Sequence, residues 1–258
     1  MYPFLNLFGR KIPTYGLCMV IAIFLVGTLA VLYAKKVKVA YEDILMIGAG
    51  SVLTGLMGGW LLYLCVTYSL DEMLGMISKG EYSFLRGGLV FYGALFGGVL
   101  GGLFCVRLTG ASFPAVVRCI VPYIPFGHAI GRIGCVLAGC CIGAPYDGLC
   151  ALYYTNSLFG LDPNQGYFPV QLLEAAVLIC IGLCLIWLRK VRWNKLELLF
   201  FYFGLYGIAR FFLEFLRGDT IRGFAGGIST SQWISLLQLV GCALYFFVLK
   251  FRLDGEDP

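Results

Sequence analysis

An all-α polytopic membrane fold is what this sequence predicts, and three observations carry the prediction. Of its 258 residues, 60% are hydrophobic and only 13% are charged, about half the ~25% charge of a soluble domain. The apolar residues gather into seven runs, at least five of which reach the ~20 residues needed to cross a bilayer. The lysines and arginines sit mostly between those runs, where they carry orientation information, so the net charge of +5 does not indicate nucleic-acid binding. No polar stretch is long enough for a separate soluble domain, and residues 1–258 read as one transmembrane domain.

The spans run roughly Tyr15–Ala34, Ile44–Tyr68, Gly88–Leu108, Val117–Leu137, Val170–Leu188, Leu196–Leu216 and Trp233–Leu249. The first is long and lacks a small-residue cleavage site, so it is expected to stay as a helix rather than leave as a signal peptide. The third carries Gly93, Gly97 and Gly101, with Gly98 and Gly102 at the same interval. Small-xxx-small spacing signals close helix packing; glycine also lets a ligand approach the backbone, and Tyr92 beside Gly93 could offer a hydroxyl there. The fourth span is loosened by Pro122, Pro125, Gly127, Gly131 and Gly134, which predicts a kinked or broken helix.

Charge predicts the orientation. One set of span ends holds eleven basic residues: Lys35, Lys36, Lys38, Arg107, Arg118, Arg189, Lys190, Arg192, Lys195, Lys250 and Arg252. The opposite set holds six: Arg10, Lys11, Lys79, Arg86, Arg217 and Arg222. This places the C-terminus in the cytoplasm and the N-terminus outside. The loop 143–169, between spans four and five, has no lysine or arginine and is expected to face outward.

Arg132 and Arg210 are the unusual residues. An arginine within a span costs at least ~2.5 kcal/mol by insertion scales. Either each binds an anion presented from the lipid, such as a phosphate, or each pairs with an internal carboxylate, for which Glu174 and Glu214 are available. Helical spacing puts His128, the only histidine, on the face of Arg132, with Cys135 three residues further on. Tyr206, Arg210 and Glu214 recur every four residues, with Arg217 three beyond, so the sixth span has a polar face that must meet a cavity or another helix.

The eleven cysteines form no CxxC and no zinc-site spacing. Cys18, Cys65, Cys105, Cys119, Cys180, Cys184 and Cys242 read as small apolar fillers. Cys135, Cys140, Cys141 and Cys150 suggest packing first, a Cys150 disulfide with Cys140 or Cys141 second, and metal binding with His128 last.

The ordered motifs resemble the prolipoprotein diacylglyceryl transferase family of bacterial membranes. "TYGLCMVIAIF" is similar to the family's first-span Tyr-Gly-Leu motif and marks Tyr15; "GGLVFYGALFGG" is similar to its third-span His-Gly-Gly-Leu-Ile-Gly region and marks Tyr92 and Gly93. "GRIG" at Gly131–Gly134 matches its most recognisable signature, which Gly143 closes. "FPVQLLEA" marks Glu174, "YGIARFFLEFLR" marks Tyr206 and Arg210, and "ISTSQWIS" marks Gln232.

The resemblance implies transfer of the diacylglyceryl unit of phosphatidylglycerol to the lipobox cysteine thiol in a prolipoprotein signal peptide, forming a thioether and releasing glycerol 1-phosphate. It implies a multi-pass protein of the bacterial cytoplasmic (inner) membrane, among membrane lipids, needing no metal, ATP or other cofactor. Arg132 and Arg210 would clamp the phosphate, because the planar guanidinium fork suits its oxygens. The sequence departs from the family pattern at three places: the third-span histidine is Tyr92, the asparagine after GRIG is Cys135, and a later glutamate is Cys140. The thiol proton could then pass to His128 or to Tyr92. The other readings are a related transferase with a different acceptor, or a non-catalytic phospholipid-binding protein or transporter.

Overall fold

Seven helices in the computed structural model are long and apolar enough to cross a membrane, in keeping with the all-α polytopic class. The structure describes residues 2–7, 9–155, 157, 160–190, 196–218 and 224–254; Arg192, Lys195 and Arg222 of the orientation argument lie outside the described residues. A hairpin of β1 (Phe4–Leu7) and β2 (Arg10–Pro13) leads into α1 (Thr14–Val37), α2 (Tyr41–Thr67), a short α3 (Leu70–Ser78) and α4 (Phe91–Thr109). The fourth span is α5 (Phe113–Ile120) and α6 (Ile124–Ala138); after the two-residue strands β3 (Leu152–Tyr153) and β4 (Gly166–Tyr167) come α7 (Val170–Leu188) and α8 (Glu197–Leu213). A second small hairpin, β5 (Phe224–Ala225) and β6 (Ile228–Ser229), precedes α9 (Thr230–Asp254). Phe24, Phe96, Trp187 and Leu237 stand exposed on the spans, as side chains facing acyl tails do.

The chain divides into two compact units, Ala30–Val116 and Met1–Leu29 with Val117–Pro258. In the first, α2 lies against α4 through glycine. A Cβ built on Gly93 would strike the Gly58 carbonyl, and one on Gly97 would strike that of Thr54. The small-xxx-small spacing therefore serves backbone-to-backbone packing. The helix α3 was not among the expected spans, being only 9 residues long. It opens with a capping box: the Ser69 hydroxyl accepts from the Glu72 amide at 3.2 Å, and the Glu72 carboxylate accepts from the Ser69 amide at 2.8 Å.

In the second unit, Val117 and Val121 pack against Ile181, Leu185 and Leu188 of α7 and Leu198 and Tyr202 of α8. A smaller cluster of Ala129, Ala175 and Leu178 lies against Tyr206. The expected break in the fourth span is a 3₁₀ turn at Val121–Tyr123 between α5 and α6, where Pro122 and Pro125 remove backbone donors. Arg189 secures the break, donating to the Tyr123 hydroxyl at 3.1 Å, while Arg118 donates to the Arg189 carbonyl at 3.0 Å. Gly134 brings α6 close to α1: a Cβ there would touch Tyr15 and Cys18.

Candidate active site

Three elements of the second unit place charged groups around Tyr206, and a fourth adds a hydroxyl. Arg132 on α6 pairs with Glu174 on α7, Nη2 to Oε1 at 2.9 Å, and the Tyr206 hydroxyl of α8 donates to the same oxygen at 3.0 Å. The His128 ring stands edge-on to the Tyr206 ring, with centroids 5.0 Å apart. One turn after Tyr206, Arg210 pairs with Glu214, Nη2 to Oε2 at 2.6 Å, and donates to the Ser231 hydroxyl at the start of α9 at 3.1 Å. His128 lies within electrostatic reach of Arg132, Glu174 and Arg210 together.

The two arginines thus pair with the two carboxylates that the sequence made available, as the internal-pairing reading expected. Pairing does not exhaust them. Arg132 Nε and Arg210 Nη1 are buried with no hydrogen-bond partner among the described residues, and so is Glu174 Oε2. A buried donor without a partner is costly, and in a native structure it calls for an explanation. An anion with several acceptor oxygens would satisfy both guanidiniums, which present five donors each.

The fold explains the local geometry. Arg132 follows His128 by four residues on one face of α6. The helix ends at Gly139, φ 73°, in a Schellman motif: the Cys140 amide donates to the Cys135 carbonyl at 3.1 Å and the Gly139 amide to that of Val136 at 3.2 Å. The chain reverses there. Its carbonyl at Cys140 accepts from Gln171 Nε2 at 2.9 Å, and the same nitrogen donates to the Tyr154 hydroxyl at 2.9 Å. Gln171 and Tyr154 are fully buried, and burial raises the Tyr154 pKa above the ordinary phenol value.

Of the residues marked by sequence, His128, Arg132, Glu174 and Tyr206 form one connected group, and Arg210 lies within electrostatic reach of it. Tyr15 borders it, within electrostatic reach of Arg132 and of Cys135. Gly143 and Gln232 do backbone work. A Cβ on Gly143 would strike the Phe168 carbonyl, and the residue bridges to Arg217, four residues beyond the end of α8. Gln232 is buried; its Oε1 accepts from the Ser229 amide at 2.9 Å, and its own amide donates to the Ser229 hydroxyl at 3.2 Å. This capping box starts α9 and so fixes Ser231 beside Arg210. Tyr92 and Gly93 belong to the other unit, where Gly93 packs on α2 and the exposed Tyr92 ring stands edge-on to Phe91 at 5.6 Å.

The sequence reading missed Gln171, Tyr154 and Ser231. Gln171 had a signal, since it precedes Glu174 by three residues on one face of α7. The Cys150 disulfide, the second reading for these cysteines after packing, is not formed: Cys150 is exposed, and it and all the other cysteines are free thiols. The filler reading fits Cys18, Cys105, Cys119 and Cys242, which are buried, but not Cys65 or Cys180, which are exposed.

Fold and site together define a multi-pass membrane protein that buries two arginines and their carboxylates around one tyrosine. A family profile described as "Prolipoprotein diacylglyceryl transferase" matches residues 3–248, and the chain belongs to that family. It is 32% identical over 252 residues to phosphatidylglycerol–prolipoprotein diacylglyceryl transferase 2 of Clostridium perfringens, covering 96% of this chain and 94% of that protein. It is also 30% identical over 248 residues to the phosphatidylglycerol–prolipoprotein diacylglyceryl transferase of Clostridium tetani, with 96% and 97% covered. The enzyme of the same name from Bordetella avium is 32% identical over 265 residues, with 98% and 96% covered.

Proposed function

We propose that this chain transfers the diacylglyceryl group of phosphatidylglycerol to the lipobox cysteine of a prolipoprotein. The membership of the family and the names of its relatives support the activity. One structural observation carries its assignment to this site: two span arginines, each already neutralised by a carboxylate, keep a buried donor unpartnered.

In this reading the cysteine sulfur, as thiolate, attacks the glyceryl carbon that bears the phosphate. The carbon–oxygen bond breaks, a thioether forms, and glycerol 1-phosphate departs with the bridging oxygen and both bonding electrons. Arg132 and Arg210 hold the phosphate and stabilise the charge that grows on the bridging oxygen. Glu174 and Tyr206 orient Arg132; Glu214 and Ser231 orient Arg210. His128 takes the thiol proton, because it is the imidazole in reach of both arginines; Tyr92 is the other group that could do so, and His128→Ala against Tyr92→Phe separates them. Tyr15, Cys135 and the loop 143–169 line the approach of the acceptor peptide. The basic residues at the span ends support an outward N-terminus, an outward 143–169 loop and a cytoplasmic C-terminus, in the bacterial inner membrane, with both units acting as one transferase domain.

The test is direct. Purified protein is incubated with phosphatidylglycerol and a lipobox peptide, and the peptide is weighed by mass spectrometry. A diacylglyceryl mass increase on the cysteine is expected. Retained lipid with no mass increase would leave only lipid binding.

A further inference from the structure

Three cysteine sulfurs, Cys135, Cys140 and Cys141, lie within 4.8 Å of one another. Their spacing, one in a helix and two after it, fits no standard metal site and does not by itself bring the three sulfurs together. The Schellman turn does so, because that motif folds the residue after Gly139 back onto the residue four before it. Cys141 then takes φ 57°, a conformation uncommon outside glycine, and this turns its sulfur to the same side. Gln171 fixes the turn through the Cys140 carbonyl.

We propose that these three thiols form a binding site for a thiophilic cation of the zinc or copper(I) class. Three thiolates around a zinc-like ion at ~2.3 Å place their sulfurs about 3.8 Å apart, so sulfurs within 4.8 Å of one another need close by no more than about 1 Å. A disulfide would use two of the three sulfurs and leave the third idle. Soft sulfur ligands select this class of cation. Binding releases one proton from each thiol to solvent, and a divalent ion with three thiolates carries one net negative charge. Cationic groups face it: Arg217 hydrogen-bonds Cys141, and Arg132 lies within electrostatic reach of Cys135 and Cys141. His128, the ligand that the sequence suggested, faces Tyr206 instead. Cys140 and Cys141 are partly exposed, which gives the ion a way in. Cys135 also borders the proposed acceptor approach and Arg132 the proposed phosphate clamp, but cation binding by the three thiols does not depend on the transfer chemistry.

The experiment uses the full chain in detergent, reduced and freed of reductant, with Cd²⁺ as the probe. Cd²⁺ should bind with a sulfur-to-metal charge-transfer absorption, and the triple variant Cys135→Ser/Cys140→Ser/Cys141→Ser should bind one equivalent fewer per chain. Cys65→Ser and Cys150→Ser, at exposed thiols, should bind as the parent does. The parent protein carries an independent readout if the triple variant does not fold: Cd²⁺ should protect Cys135, Cys140 and Cys141 from maleimide while Cys65 and Cys150 remain labelled. Equal Cd²⁺ uptake by parent and triple variant, or labelling of the three that ignores Cd²⁺, would overturn the proposal. So would a disulfide joining two of the three in protein purified without reductant.

Discussion

Arg132 and Glu174 meet at 2.9 Å with the Glu174 side chain only 1% exposed. A charge pair so placed is held together by mutual need: each partner alone would be an uncompensated ion inside a spanning segment. Removing one partner should therefore be worse than removing both. Glu174→Gln is expected to destabilise by roughly 3–5 kcal/mol, and Arg132→Met/Glu174→Gln by clearly less than the sum of the two single changes. Thermal midpoints of the four proteins in one detergent give the cycle; strict additivity would mean that the pair is not coupled.

The Tyr206 hydroxyl donates to the same carboxylate oxygen at 3.0 Å. A hydrogen bond to a charged group contributes roughly 1.5–3 kcal/mol. Tyr206→Phe is expected to lose stability in that range while keeping the edge-on ring contact with His128, and to lower transfer activity by letting Arg132 turn. A variant with parent-like midpoint and activity would remove Tyr206 from the group.

Gln171 joins the Cys140 carbonyl to the Tyr154 hydroxyl, and both it and Tyr154 are fully buried. Gln171→Leu strands two polar groups at about 1–3 kcal/mol each. Because Tyr154 belongs to the 143–169 loop, the loss should show first as faster proteolytic nicking there. Unchanged nicking would mean that the loop is held by other contacts.

The α2–α4 interface has no room at Gly93. Gly93→Val is expected to cost about 1–3 kcal/mol by overpacking, read as a lower thermal midpoint. Gly75, whose added Cβ would meet nothing within 4 Å, is the control: Gly75→Ala, in a helix interior, should hold or gain stability.

Much of this arrangement was legible in the sequence, for local reasons. The spans follow from apolar length, and the break in the fourth follows from Pro122 and Pro125. The polar face of α8 follows from four-residue spacing, and Glu174 and Glu214 could be named as partners because few carboxylates exist in the spans. The unread parts depend on chain reversal or on distant contacts. Nothing local to Cys135 shows that a left-handed Gly139 will bring Cys140 and Cys141 to it. Tyr154 reaches Gln171 only because the loop folds back. Gln232 was marked by resemblance as a substrate residue, although Ser229-x-x-Gln232 just before an apolar run is also a helix-start signal. That signal accounts for the hydrogen bonds observed.

The central claim is that Arg132 and Arg210 together hold the phosphate of the lipid donor. The measurement that reaches it most directly is kcat/KM for diacylglyceryl transfer to a lipobox peptide by Arg132→Ala and Arg210→Ala proteins whose helical content is confirmed by circular dichroism. Each is expected to lose about 100-fold or more, the scale on which a donor to developing charge contributes. Transfer within a few-fold of the parent by either folded variant would contradict the clamp and return that arginine to a purely structural role beside its carboxylate.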